Sequence, residues 1–133
     1  MRVLGIDYGD RRVGIALGDT ESKIATPWKI VDSDDLRVQI DAIRECYEHE
    51  KAAALVVGVP FGLNGEEGEQ VQKTRFFIHA LELEGFSVHE ADERLSSKLA
   101  DTQAKTSGAR GPRDDLAAAN ILRTWLERYG VSS

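Results

Sequence analysis

The chain has 133 residues, 41% of them hydrophobic and 30% charged, with a formal net charge of −6. That length suits a single domain over residues 1–133 built around one core, and the composition excludes wholesale disorder. One cysteine excludes a disulfide framework, the first residues show no apolar signal region, and no stretch approaches the ~20 apolar residues of a membrane span. The expected location is the cytoplasm, with no membrane partner.

Residues 2–6 and 13–17 are apolar runs flanking a turn with Gly9, the pattern of an antiparallel hairpin with a loop longer than two residues. A third strand is expected over Trp28–Val31, after Pro27. The stretch "DSDDLRVQIDAIRECYEHE" opens with Ser and Asp caps and predicts a helix over Asp34–Glu50, with Leu36, Ile40, Ile43 and Tyr47 on one face. Cys46 belongs to that pattern as a buried packing residue.

The run "AAALVVGVP" reads as a strand buried on both faces. After the turn "GLNG", the acidic start "EEGEQ" suits a helix N-terminus, and that helix runs to about Glu84 before Gly85. "FSVHEA" is a further strand, "ERLSSKLADTQAK" a short helix, "TSGARGPR" a loop, and "DDLAAANILRTWLERY" a last helix stopped by Gly130. The order β β β α β α β α α predicts an α/β fold, a mixed sheet of three antiparallel strands followed by parallel ones, with the first strand in the middle and helices on both faces.

Ligands of such sheets collect outside the carboxyl ends of the parallel strands, where Asp7 ends the first of them. Asp92 and Glu93 follow the last strand, and Asp114 with Asp115 opens the last helix. Three converging acidic sites repel unless a cation neutralises them, and hard oxygen ligands suit Mg²⁺ or Mn²⁺. Two such ions ~3.5 to 4 Å apart activate water and stabilise the leaving oxygen in phosphodiester hydrolysis. Each acid also has a local explanation: Asp7 as an Asx-turn residue in "DYGD", Asp114 or Asp115 as an N-cap, and Glu93 as a helix start or a partner of Arg94.

Helical phase puts Asp114 on the stripe of Ala118, Ile121, Leu122 and Trp125, with Asp115 at its border, so Asp114 is the preferred third acid and Asp115 the second choice. Charge along the chain is uneven: residues 1–93 hold 10 basic and 19 acidic side chains, and residues 94–133 hold 7 basic and 4 acidic. Arg11, Arg12, Arg94, Lys98, Lys105, Arg110 and Arg113 surround the acids and are candidate phosphate contacts, with Tyr8 a candidate base-stacking residue. For each of these the competing reading is a solvated side chain or, for Tyr8, packing against the hairpin. His49, His79 and His89 lack zinc-ligand spacing, and "VVGVPFGLNG" lacks the Lys and Ser or Thr of a nucleotide-binding loop. Gly58, Pro60 and Gly62 are expected to shape the floor of the site by letting backbone approach a substrate.

"GIDYGDRRVGIALGD", "VVGVPFGLNGEEGEQ", "ADERLSS" and "DDLAAANIL", in that order, resemble the YqgF or RuvX family of pre-16S rRNA nucleases and Holliday junction resolvase-like proteins. The resemblance spans nearly the whole chain. It implies a ribonuclease H-like fold, catalytic acids at Asp7, Glu93 and Asp114, and nuclease action on the 5′ end of the small-subunit ribosomal RNA precursor. Structured RNA is then the favoured partner, with branched DNA the alternative and a homodimer one way to supply positive charge. Two further readings compete: a sugar-kinase or actin-like ATPase, which needs a second lobe that this length does not provide, and a non-catalytic module binding nucleic acid or protein.

Overall fold

The computed structural model describes residues 1–62, 67–95 and 114–129, with the side chains of Leu95 and Asp114 outside that description. Five strands form one sheet: β1 (Arg2–Tyr8), β2 (Arg12–Asp19), β3 (Ala25–Asp32), β4 (Ala54–Val59) and β5 (Val88–Asp92), in the order β3-β2-β1-β4-β5. β1, β2 and β3 pair antiparallel, whereas β4 runs parallel to both β1 and β5. The expected mixed sheet with its first strand in the middle is therefore the observed one.

Alternation along β1 and β4 divides the core. Leu4, Ile6, Leu55 and Val57 point to the face covered by helices α1 (Leu36–His49) and α2 (Glu69–Leu83), where Ile40, Ile43, Phe77 and Leu81 meet them. Cys46 is buried in this layer as a free thiol. Val3, Ala54 and Val56 point the other way, onto Ala118, Ala119, Leu122 and Leu126 of α3 (Asp114–Arg128). Every residue of β4 is buried, which explains why its sequence is continuously apolar.

Three boundaries differ from expectation. β3 begins at Ala25 and carries Pro27 inside it, opposite Ala16 beside a register shift at Ile15 and Ala16. A proline is tolerated there because β3 is an edge strand, where a missing N–H leaves no ladder bond unmade. α1 starts after Asp35, whose carboxylate accepts from the Arg37 and Val38 amides at 2.8 and 3.2 Å. Of the helix expected over 93–105, Glu93–Leu95 forms a 3₁₀ turn, and the remainder, with the loop over 106–113, lies outside the described residues.

Glu84 ties the two helices of one face together, taking Arg37 at 3.1 Å and Arg44 at 3.3 Å. Hydrogen bonding and charge from Arg37, then from Arg44, hold its carboxyl below the usual range. A depressed folded pKa stabilises above the unfolded pKa and is lost as pH falls through the folded one. Glu84→Gln should therefore lower Tm at pH 7, and the gap from the wild-type protein should close on acidification below pH ~4, as thermal melts across pH would show.

Candidate active site

α3 crosses the sheet in close contact with glycines. A Cβ on Gly5 would lie 2.7 Å from Leu122 Cβ and 2.8 Å from the Ala118 carbonyl oxygen, and one on Gly18 would lie 2.7 Å from Leu122 Cδ2 and 3.0 Å from Leu126 Cδ1. Gly18 pairs with Val3, so moving back along β1 from residue 5 to residue 3 moves forward along the helix. The helix thus runs antiparallel to β1, and its first turn, with Asp114 and Asp115, stands over the end of β1 that carries Asp7. A helix N-terminus there favours negative charge beneath it.

Asp7 shares the α3 face with Val3 and Gly5, since side chains alternate along a strand. Glu93 starts the 3₁₀ turn directly after β5, and β4 separates the two strands. The gap across two strand spacings is ~9 to 10 Å. Glu93 crosses it over Gly58 of β4: a Cβ at Gly58 would come within 2.9 Å of Glu93 Cγ and 2.5 Å of Ile121 Cδ1. The space left by that glycine is filled by the chain's own side chains, which corrects the expectation that Gly58 opens room for a substrate.

The carboxyl groups of Asp7 and Glu93 lie within hydrogen-bonding reach of one another. Two carboxyl groups this close repel one another when both are charged, and a proton or a cation between them relieves the repulsion. Burial pushes the Glu93 carboxyl above its usual range, the bond from Asp7 works against that, and the charge of Asp92 adds to it. Two hard oxygen donors brought together in this way are a pair that a divalent cation would neutralise. Among the described residues, no group of three or more His, Cys, Asp or Glu side chains is arranged to hold a metal. The described donors are a pair.

The third acid stands differently from expectation. Asp115 is 4% exposed and lies on the buried stripe with Ala118, Ala119, Leu122 and Leu126, and not at its border, while Trp125 is half-buried. Its Oδ1 accepts from the Leu116 amide at 3.0 Å. Asp114 opens the helix, and its side chain lies outside the described residues.

The candidate phosphate contacts fall into three groups. Arg11 and Arg12 are exposed at the hairpin turn. Arg94 is held by Asp92, with Nη2 to Oδ2 at 2.6 Å and Nε to both carboxylate oxygens at 3.0 Å, and its guanidinium lies 5.5 Å from the Phe61 ring centre. The same arginine pulls the Asp92 carboxyl below its usual range. Asp92 also accepts the Arg94 amide at 2.9 Å, which fixes the turn that begins with Glu93. Lys98, Lys105, Arg110 and Arg113 lie outside the described residues. Tyr8 stacks on Phe77 of α2 with ring centres 4.3 Å apart, so one face of the candidate base-stacking ring is covered.

A family model described as "RuvX: Holliday junction resolvase" matches residues 1–128. A protein of Hydrogenovibrio crunogenus is 41% identical, over 94% of this chain and 92% of its own length. One from Maridesulfovibrio salexigens is 35% identical over 96% of this chain and 99% of its own. Both carry the name "Putative pre-16S rRNA nuclease". Among solved structures, T. thermophilus RuvC in complex with a Holliday junction substrate superposes with a TM-score of 0.62 at 17% identity, over 96% of this chain and 94% of that one. Fowlpox virus resolvase with Holliday junction DNA gives 0.56 at 15%, over 96% and 97%. These structures share the ribonuclease H-like arrangement of the sheet, and the match over residues 1–128, together with relatives similar from end to end, makes this chain a member of the RuvX family.

Proposed function

We propose that the chain is a divalent-metal-dependent nuclease, a single catalytic domain of the cytoplasm that hydrolyses phosphodiester bonds in structured RNA. Its substrate on this reading is the 5′ end of the small-subunit ribosomal RNA precursor, as the names of its relatives suggest. The observation that carries the reading is the Asp7–Glu93 carboxyl pair, closed across β4 beneath the first turn of α3.

Asp7 and Glu93, with Asp114 or Asp115 from the helix, would hold Mg²⁺ or Mn²⁺. Bound there, the ion supplies Lewis acidity to the phosphate oxygens and an activated water. Arg11 and Arg12 at the hairpin turn are positioned to meet phosphates on one side, and Lys98, Lys105, Arg110 and Arg113 are assigned the other. Arg94, braced by Asp92 and Phe61, orients rather than roams. Across residues 1–93 acids outnumber bases 19 to 10, so binding leans on these few cations or on a second copy of the chain.

The test is cleavage of end-labelled precursor RNA, single strands, duplexes and four-way DNA junctions with Mg²⁺, with Mn²⁺ and with EDTA. Metal-dependent cutting of the RNA is the expected result. Cutting confined to the junctions would make the chain a resolvase, and no cutting of any substrate would remove the nuclease reading.

A further inference from the structure

Glu93 stands between two residues whose side chains bind each other. Asp92 registers with Val59, which belongs to the layer packed on α1 and α2, so its carboxylate lies on the face of the sheet away from Gly58 and Asp7. There it accepts the Arg94 amide at 2.9 Å, Nε at 3.0 Å on both oxygens and Nη2 at 2.6 Å. Residues 92 and 94 thereby close on one side of the chain, and Glu93 leaves on the other, over Gly58. The Arg94 end of this clasp is seated on the segment that follows β4. Its guanidinium lies 5.5 Å from the centre of the Phe61 ring, and Nη1 is 3.5 Å from the Gly62 carbonyl oxygen. Arg75 of α2 stands at the same 5.5 Å from that ring and is paired with Glu67 and, at 3.7 Å, with Glu90 of β5.

We propose that Asp92 and Arg94 are positioning residues, whose clasp on Phe61 holds the turn that carries Glu93 across β4 to Asp7. On this assignment the charge of Arg94 is committed to Asp92 and not to a substrate phosphate. The inference rests on the nuclease reading of the acid pair. An Asx turn needs only the carboxylate and the amide of residue 94. The two-pronged contact with Asp92 and the seat on the Phe61 ring are additional, and both call for a planar guanidinium. A carboxylate at 2.6 Å also offsets the positive charge that a phosphate would feel, so Arg94 is a poor phosphate anchor. Arg11 and Arg12, exposed at the hairpin turn, are better placed for that task.

The site needs such a device because Glu93 must span two strand spacings from a 3₁₀ turn of three residues. A turn this short has little hydrogen bonding of its own, so side chains set its orientation. Misplacement of a reacting group by about 1 Å is enough to cost on the order of 100-fold in rate. Phe61 serves Arg75 as well as Arg94, so α2, the end of β4 and the turn after β5 meet at one ring. The turn cannot shift without disturbing that junction.

The experiment compares the wild-type chain with Arg94→Lys, which keeps the charge but not the fork, and with Asp92→Asn, which keeps an oxygen for the amide but not the ion pair. Thermal melts establish that each is folded. Mn²⁺ binding in the absence of RNA, followed by the EPR signal of the free ion, should weaken roughly 10- to 100-fold in both variants. Their kcat on precursor RNA should fall with it, while the KM of Arg94→Lys and its affinity for the RNA in EDTA stay at the wild-type level. Wild-type Mn²⁺ binding and kcat in the folded variants would overturn the positioning role. So would a loss in Arg94→Lys confined to RNA affinity and KM, which would make Arg94 a phosphate contact. A wild-type chain that binds no Mn²⁺ and cuts no RNA counts against the nuclease reading, and crystal structures of the wild-type protein and Arg94→Lys then read the clasp directly. A Glu93 carboxyl withdrawn from Asp7 in the variant supports it, and an unmoved one overturns it.

Discussion

Asp7→Asn is expected to reduce cleavage by ~10³-fold or more while leaving the fold in place. The substitution keeps the shape and the hydrogen-bonding reach toward Glu93 but removes the charge that a divalent ion needs. Loss of several kcal/mol of transition-state stabilisation corresponds to about that factor in rate. The fold should survive because Asp7 contributes to the sheet through its backbone, paired with Gly14, and because the hydrophobic layers on both faces are built from other residues. Single-turnover cleavage, with Tm measured beside it, separates the two quantities. Full activity in the purified variant would remove Asp7 from the chemistry.

Gly5→Ala should cost stability and activity together. The added methyl would meet Leu122 Cβ at 2.7 Å and the Ala118 carbonyl oxygen at 2.8 Å, atoms fixed to the helix backbone that cannot turn aside. Overpacking of this kind costs about 1–3 kcal/mol, on the order of 3–12 °C in Tm for a domain of this size. Relief requires α3 to lift from β1, which moves Asp114 and Asp115 away from Asp7. Cleavage measured well below Tm should therefore fall, even where the protein remains folded. An unchanged Tm would show that the helix does not approach β1 as closely as these distances say.

The sheet was legible in the sequence because its parts are strongly patterned. Six consecutive buried residues in β4 leave an uninterrupted apolar run, and β1 and β2 each carry four consecutive buried residues on either side of a short turn. The pattern makes β3 too short, because Pro27 looks like a boundary until its place at the sheet edge is known. In the last helix, hydrophobicity pointed to Trp125 as a core residue. The helix packs through Ala118, Leu122 and Leu126 against two glycines, with Trp125 half-buried beside them, and this close approach turns Asp115 inward.

The carboxyl pair was legible in part. Asp7 and Glu93 both stand out as acids at strand ends, and the strand order gave the distance that Glu93 must span. What allows the crossing is a property of β4: Gly58 has no side chain at the one position in that strand over which Glu93 passes. That depends on register between three strands, β1 to β4 and β4 to β5, which no local pattern in the sequence encodes. The brace from Asp92 to Arg94 is local and was readable in principle, since an Asx turn spans two residues.

The close seat of α3 on Gly5 and Gly18 also sets an order of assembly. β1 leaves the ribosome before the other strands of this sheet, yet one of its faces is covered by the helix over residues 114–128, more than a hundred residues later. Domains emerge N-terminal part first. Until that helix arrives, Val3 and Ala54 lack their cover, Ile121 is not yet against Gly58, and the helix acids are absent from the end of β1. A growing chain thus carries Asp7 without the helix acids of the proposed site while residues 8–113 are made, and gains them only as α3 closes over the sheet.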